Sequence, residues 1–147
     1  MPQPIVFTST RLVEWGQCDP AGIVYYPRFF EMCDANTNAL FAHATGMDKK
    51  ELQSTYGIVG WPMIDSRASF QAPASYGDTI TVSSHAERFG RSSMEIHHRI
   101  AHADGRVIAV GMDKRVWVGR DPEAVGGIKS VPLPDAFTSR FMISEGE

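Results

Sequence analysis

Between residues 29 and 44, apolar side chains recur at Phe29, Phe30, Cys33, Thr37, Leu40, Phe41 and Ala44, the spacing of a helix with one buried face. Pro27 suits the first helical position, since its missing N–H costs nothing there and its φ is already helical. Gly46 marks the end. A short helix is predicted over 48–55, with Asp48 as its N-cap. After Gly57 the period shortens to two. Ile80, Val82, Ser84 and Ala86 alternate with more polar residues, as do Met94, Ile96, His98 and Ile100, the pattern of half-buried antiparallel strands. Strands are predicted over 5–15, 58–71, 79–88, 93–103 and 106–119, joined largely by hairpins. Asp104-Gly105 predicts a tight turn with positive φ values; Phe89-Gly90-Arg91 is a weaker turn signal. The tail from Asp121 carries Pro122, Pro132 and Pro134 and reads as an irregular cover with a last short helix. One amphipathic helix and an antiparallel sheet with one wet face imply an α+β fold, the sheet wrapped around the helix.

Length and charge narrow the function. A chain of 147 residues is one domain by size, spanning 1–147, able to bury roughly 70% of its unfolded surface without disulfides or metals. The net charge of −3 argues against nucleic-acid binding, which leaves a basic footprint. Any anionic ligand must meet a local cluster of Arg and Lys. The two cysteines, Cys18 and Cys33, form no disulfide framework. With no signal-peptide pattern and no apolar run of membrane-spanning length, a cytoplasmic protein without membrane attachment is expected. Gly-x-Ser-x-Gly, P-loop and Gly-x-Gly-x-x-Gly motifs are missing. Among the five histidines, neighbours His97 and His98 point to opposite strand faces, and His98 and His102 stand about 13 Å apart by strand rise. No metal site is expected.

The segment from Asp19 to Pro27, Asp-Pro-Ala-Gly-Ile-Val-Tyr-Tyr-Pro, places a carboxylate shortly before a helix start. A helix start leaves unpaired N–H groups, here those of Tyr26, Arg28 and Phe29. Such donors stabilise an oxygen that gains negative charge during a reaction. Asp19 could stand over the same spot as nucleophile or general base; the plain alternative is that it caps its own turn.

Cys18-Asp19-Pro20-Ala21-Gly22-Ile23-Val24-Tyr25-Tyr26-Pro27, followed by Arg28-Phe29-Phe30-Glu31-Met32, resembles the signature of the 4-hydroxybenzoyl-CoA thioesterase family, the Pseudomonas-type branch of the hotdog-fold thioesterases. Gly57-Ile58-Val59-Gly60-Trp61-Pro62, Ala68-Ser69-Phe70 and Ala74-Ser75-Tyr76-Gly77-Asp78 add to the match, which covers about residues 5–137. The resemblance implies a hotdog fold and hydrolysis of an acyl-CoA with an aromatic acyl group. It assigns Asp19 as the catalytic carboxylate and the Tyr26 backbone N–H as the group that polarises the thioester carbonyl. It implies no metal or organic cofactor beyond the CoA of the substrate, and a homotetramer of dimers with sites between subunits. The related broad-specificity branch carries His where this chain has Tyr26, which favours the hydroxybenzoyl branch.

For the rest of the substrate, Arg88 and Arg91 are the basic pair offered to the CoA phosphates, with Lys114, Arg115 and Arg120 as further candidates. The family's basic segment is only partly kept. Asp34, four residues beyond Phe30 on the helix, could accept a hydrogen bond from a ring hydroxyl; Phe30 and Trp61 could line the acyl pocket. Each has a plain alternative as solvated surface, exposed helix Asp or ordinary core. Glu31, off the apolar stripe, and Cys18, turned away if extended, rank below Asp19. Rival readings are a hotdog thioesterase for aliphatic or acyl-carrier-protein thioesters, and a non-catalytic acyl-CoA-binding module.

Overall fold

A computed structural model describes residues 2–143. Its strands are β1 (Gln3–Pro4), β2 (Phe7–Leu12), β3 (Met63–Phe70), β4 (Thr79–Glu87), β5 (Ser93–His102), β6 (Val107–Val116), β7 (Val118–Arg120), β8 (Ile128–Ser130) and β9 (Met142–Ile143). Its helices are α1 (Pro27–Thr45), α2 (Lys49–Tyr56) and α3 (Asp135–Thr138).

Helix α1 runs from Pro27 to Thr45 and closes on Gly46 at φ +73°, the left-handed cap that glycine adopts at no steric cost. Phe29, Cys33, Thr37, Leu40 and Phe41 of the predicted stripe are buried, with Met32 and Asn36 beside them; Phe30 and Ala44 are half-buried. Asp48 caps α2 by accepting the Glu51 N–H at 2.9 Å, while Glu51 reaches back to the Asp48 N–H, a reciprocal capping box.

The main sheet is antiparallel in the order β2-β4-β5-β6-β3. Ile80, Val82, Ser84 and Ala86 of β4 and Met94, Ile96, His98 and Ile100 of β5 are all buried. They face α1, so the α+β arrangement of a sheet around one long helix is the one the chain adopts. Two core clusters result. One, with Val24, Phe29, Cys33, Ile80, Val82 and Ile100, lies at the start of α1; the other, with Leu40, Phe41, Trp61, Trp117 and Phe137, lies at its end.

Connectivity departs from the sequence expectation in particular places. Strand β3 does not form a hairpin with β4; it crosses to the far edge and pairs with β6. It starts at Met63, because Val59 and Gly60 bond to Val118 instead and Pro62 has no N–H to give. The predicted strand over 106–119 breaks at Trp117, whose N–H turns to the Ser92 carbonyl at 2.8 Å. The tail is more ordered than expected: β8 pairs with β7, β9 with β1, and α3 supplies the predicted short helix. At the β5–β6 turn only Gly105 has a positive φ (+89°). The loop is therefore a three-residue hairpin with glycine in the left-handed position, not a two-residue Asp-Gly turn.

Candidate active site

The chain between β2 and α1 doubles back on itself. The Asp19 N–H donates to the Ile23 carbonyl at 2.9 Å, and the Tyr25 N–H to Gln17 at 2.9 Å. At the tip, the Gly22 N–H closes a turn onto the Asp19 carbonyl, with Gly22 at φ +80°. The loop is fastened to the chain leading into β4, since Val24 donates to Ala74 and Tyr76 to Gly22. Asp19 Oδ1 accepts the Ala21 N–H at 2.8 Å. The carboxylate therefore does cap its turn, but with one oxygen only. Oδ2 has no protein partner among the described residues, and the side chain is half-buried. Cap and reactive group are compatible roles here.

The helix start is tighter than an ideal α-helix. Contrary to the sequence expectation, Arg28 and Phe29 offer no free N–H groups; they donate to Tyr25 and Tyr26 at 2.8 and 3.1 Å, the short-range bonds common in a first helical turn. Pro27 has no N–H. That leaves the Tyr26 N–H, which finds no acceptor among the described residues. Tyr26 is the N-cap of α1, at the positive end of the helix dipole. Its ring stays exposed and meets Phe70 edge-on, with Phe29 and Phe30 against the same ring. The aromatic group thus ties the helix start to the end of edge strand β3.

Two clefts adjoin α1, one at its start and one farther along the helix. One is apolar and narrow, lined by Phe29, Phe30, Cys33, Ala68 and Gly111, with His98 and Asp113 among its walls. The second, of about 260 Å³, is lined by Asp34, Asn38, Lys49, Trp61 and Arg115. Phe30 therefore belongs to one cleft, Asp34 and Trp61 to the other. Trp61 is itself buried, stacked on Trp117 at 5.8 Å, with its indole N–H on Asn38 at 3.2 Å.

Between the clefts runs a buried polar chain that the sequence pattern did not reveal. Ser9 donates to Asn36 at 2.7 Å, and Asn36 to Ser84 at 2.6 Å. Ser84 is then left to donate to His98 Nδ1 at 2.6 Å, so His98 Nε2–H donates to Asp113 at 3.1 Å. Ser66 and Arg115 also donate to Asp113, and Arg115 reaches Asp34 at 2.7 Å. Burial pushes the Asp113 pKa up, but the His98 contact, Ser66 and Arg115 outweigh it and hold the carboxyl below its usual range. Nearby Cys33 is pushed up to about 12, by burial first and by Asp113 second. The only sequence signal for this network was a Ser and a His at inward positions of β4 and β5.

Arg115, occupied in this way, is not free for phosphates. Arg88 and Arg91 are exposed in the β4–β5 connection, with Arg88 3.8 Å from Glu95. The nine residues of β4 separate them from the Asp19 loop, about 30 Å by strand rise. Glu31 is exposed and pairs with Arg28 at 2.8 Å; the Cys18 thiol turns to the Glu14 carbonyl at 3.6 Å. Neither competes with Asp19.

Residues 13–141 match the thioesterase-like superfamily, and the chain belongs to it. With its sheet and helix arranged as described, it is a hotdog-fold thioester hydrolase. Over 126 residues it is 29% identical to 4-hydroxybenzoyl-CoA thioesterase from Pseudomonas sp. strain CBS-3, covering 83% of this chain and 89% of the relative. It is 27% identical over 92 residues to the 1,4-dihydroxy-2-naphthoyl-CoA hydrolase of Synechococcus elongatus, covering 63% and 67%. The solved structure of the Pseudomonas enzyme superposes with a TM-score of 0.83 at 27% identity, over 92% of this chain and 98% of that one. An aspartate-to-asparagine mutant of 4-hydroxybenzoyl-CoA thioesterase, complexed with 4-hydroxybenzoyl-CoA, matches with the same TM-score at 26% identity and the same coverage. Among the described residues, no helix is long and apolar enough to cross a membrane.

Proposed function

We propose that the protein hydrolyses an aromatic acyl-CoA, of which 4-hydroxybenzoyl-CoA is the type, to the free acid and CoA. The observation that carries this reading is that one fastened loop holds two groups with no partner among the described residues, Asp19 Oδ2 and the Tyr26 N–H. The thioester carbonyl oxygen accepts the Tyr26 N–H, which gains strength as negative charge develops on that oxygen. Asp19 either attacks the carbonyl carbon, giving an anhydride that water opens, or takes a proton from the attacking water. The leaving thiolate has a pKa of about 8.5, so it departs without a general acid. Neither route requires a metal or organic cofactor.

In this reading Phe30 packs on the acyl ring, and Asp34, held by Arg115 at the lip of the Trp61 cleft, accepts from a ring hydroxyl. The catalytic unit is a dimer within a homotetramer. Among the described residues, edge strand β3 pairs only with β6, and it exposes Met63, Ile64 and Phe70, an edge that a folded protein ordinarily covers. A two-fold pairing through β3 reverses strand direction. One subunit's β4–β5 connection, with Arg88 and Arg91, then lies at the same end of the extended sheet as the other's Asp19 loop. That arrangement gives the two arginines their place with the CoA phosphates.

A panel of aromatic and aliphatic acyl-CoAs, assayed by release of free thiol, tests the substrate class. Highest kcat/KM is expected on hydroxylated aromatic acyl groups. Preference for long aliphatic chains or acyl-carrier-protein thioesters would replace the substrate reading, and no turnover on any thioester would leave an acyl-CoA-binding module.

A further inference from the structure

The outer face of the sheet, opposite α1, carries a group of side chains that thioester hydrolysis does not use. In the β4–β5 register His85 stands directly across from His97, and Glu87 directly across from Glu95. His97 Nε2 lies 2.9 Å from Glu87 Oε1 and 3.2 Å from Glu95 Oε1. One donor atom each from Glu87, Glu95 and His97 fall within 4.8 Å of one another. Ligand atoms around a tetrahedral zinc ion stand about 3.4 Å apart, given its bond lengths near 2.1 Å. The set is thus close to a coordinating arrangement before any ion enters.

His85 completes it. Its ring stacks on His97 at 5.4 Å with the planes 15° apart, and its Nε2 lies 3.3 Å from Glu87 Oε2. The two oxygens of Glu87 are therefore divided, one toward His97 and one toward His85. This is how an outer group orients a ligating carboxylate. All four side chains are half-buried, so an ion could enter from solvent.

Charge makes the same case. Facing carboxylates of like charge destabilise a strand pair. The cations nearby include Arg88, largely exposed and 3.8 Å from Glu95, Lys114, exposed and across the β5–β6 register from Glu95, and Arg67 of β3, exposed and within electrostatic reach of Glu95. Among the described residues no Arg or Lys lies within 4 Å of Glu87, whose neighbours are His85 and His97. A divalent ion at His97 would lie between the two carboxylates. Along the sequence Glu95 shares a strand face with His97, but Glu87 and His85 lie on the neighbouring strand, so the full ligand set shows only once the register brings them across.

We propose that His97, Glu87 and Glu95 bind one divalent transition-metal ion of the zinc type, with His85 positioning Glu87 or entering as fourth ligand. Imidazole and carboxylate together suit Zn²⁺ and Co²⁺. The ion would staple β4 to β5 on the face away from Asp19, so it is structural and not catalytic.

The test uses the full chain, stripped with chelator and titrated calorimetrically with Zn²⁺, then followed by Co²⁺ visible absorption. One ion per chain is expected, with a rise in melting temperature. His97→Gln and Glu95→Gln should each weaken binding about tenfold or more and abolish that rise. His43→Gln, outside the cluster, should leave both unchanged, and kcat for thioester hydrolysis at saturating substrate should be the same with and without Zn²⁺. Two variants guard against one that fails to fold. Absence of a binding heat and of a Co²⁺ spectrum would overturn the proposal, and so would wild-type affinity in a folded Glu95→Gln protein.

Discussion

Asp113 is a charge kept inside the protein by its neighbours, and two measurable consequences follow from its surroundings. Its carboxylate accepts from Ser66, His98 and Arg115 while almost wholly buried. Because the folded-state pKa is depressed, the stabilisation is fully present above the unfolded value of about 3.9. It is lost as pH falls through the folded value. Urea unfolding across the acid range should show stability declining below about pH 4, and a shallower decline in Asp113→Asn. Asp113→Ala should cost about 3 kcal/mol or more at neutral pH, since Arg115 and His98 stay buried without their partner. Cys33, with its pKa near 12, is a thiol at neutral pH and should resist alkylation in the native protein while reacting readily once unfolded. In the proposed mechanism the working group at Tyr26 is the backbone N–H. Tyr26→Phe should therefore keep the wild-type kcat; a large loss would show that the phenol takes part.

At the scale of elements, the ends of α1 do most to place the site. Pro27 and Gly46 fix where the helix begins and ends, and both were legible from residue type alone. A methyl at Gly46 meets no atom within 4 Å, yet φ is +73°. Gly46→Ala should accordingly destabilise by about 1 kcal/mol through backbone conformation alone, read as a lowered melting temperature with activity intact. The alternating strands β4 and β5 were equally legible, because their period is local. What was not legible is what depends on pairing between distant segments. The crossing of β3 to the far edge, the break at Trp117 and the β1–β9 pair have no local pattern to announce them. The same holds within the site. Asp19 and Tyr26 are seven residues apart and could be read together, and the Asp-Pro-Ala-Gly turn was visible. The Asn36–Ser84–His98–Asp113–Arg115 chain joins one helix to three strands, and only the register assembles it. Nor could residue type show that Arg28 and Phe29 would spend their N–H groups on the first turn, leaving Tyr26 alone.

For the whole molecule, the proposed site of catalysis lies at a boundary between subunits. Ile64 on edge strand β3 is 60% exposed, a large apolar side chain on an edge of the kind that folded proteins cover or charge. Ile64→Lys should shift the protein toward monomer in sedimentation or light-scattering measurements and lower kcat/KM in parallel. A fully active monomer would remove the need for a second subunit. The central claim rests on Asp19, where capping and chemistry can be separated. Asparagine keeps the oxygen that accepts the Ala21 N–H but removes the charge, so Asp19→Asn should fold and melt like the wild type. The most direct measurement is the single-turnover rate of thiol release from 4-hydroxybenzoyl-CoA by wild type and Asp19→Asn, with melting curves of both. A fall of about 10²–10⁴-fold in a folded variant is predicted; an unchanged rate would contradict the account.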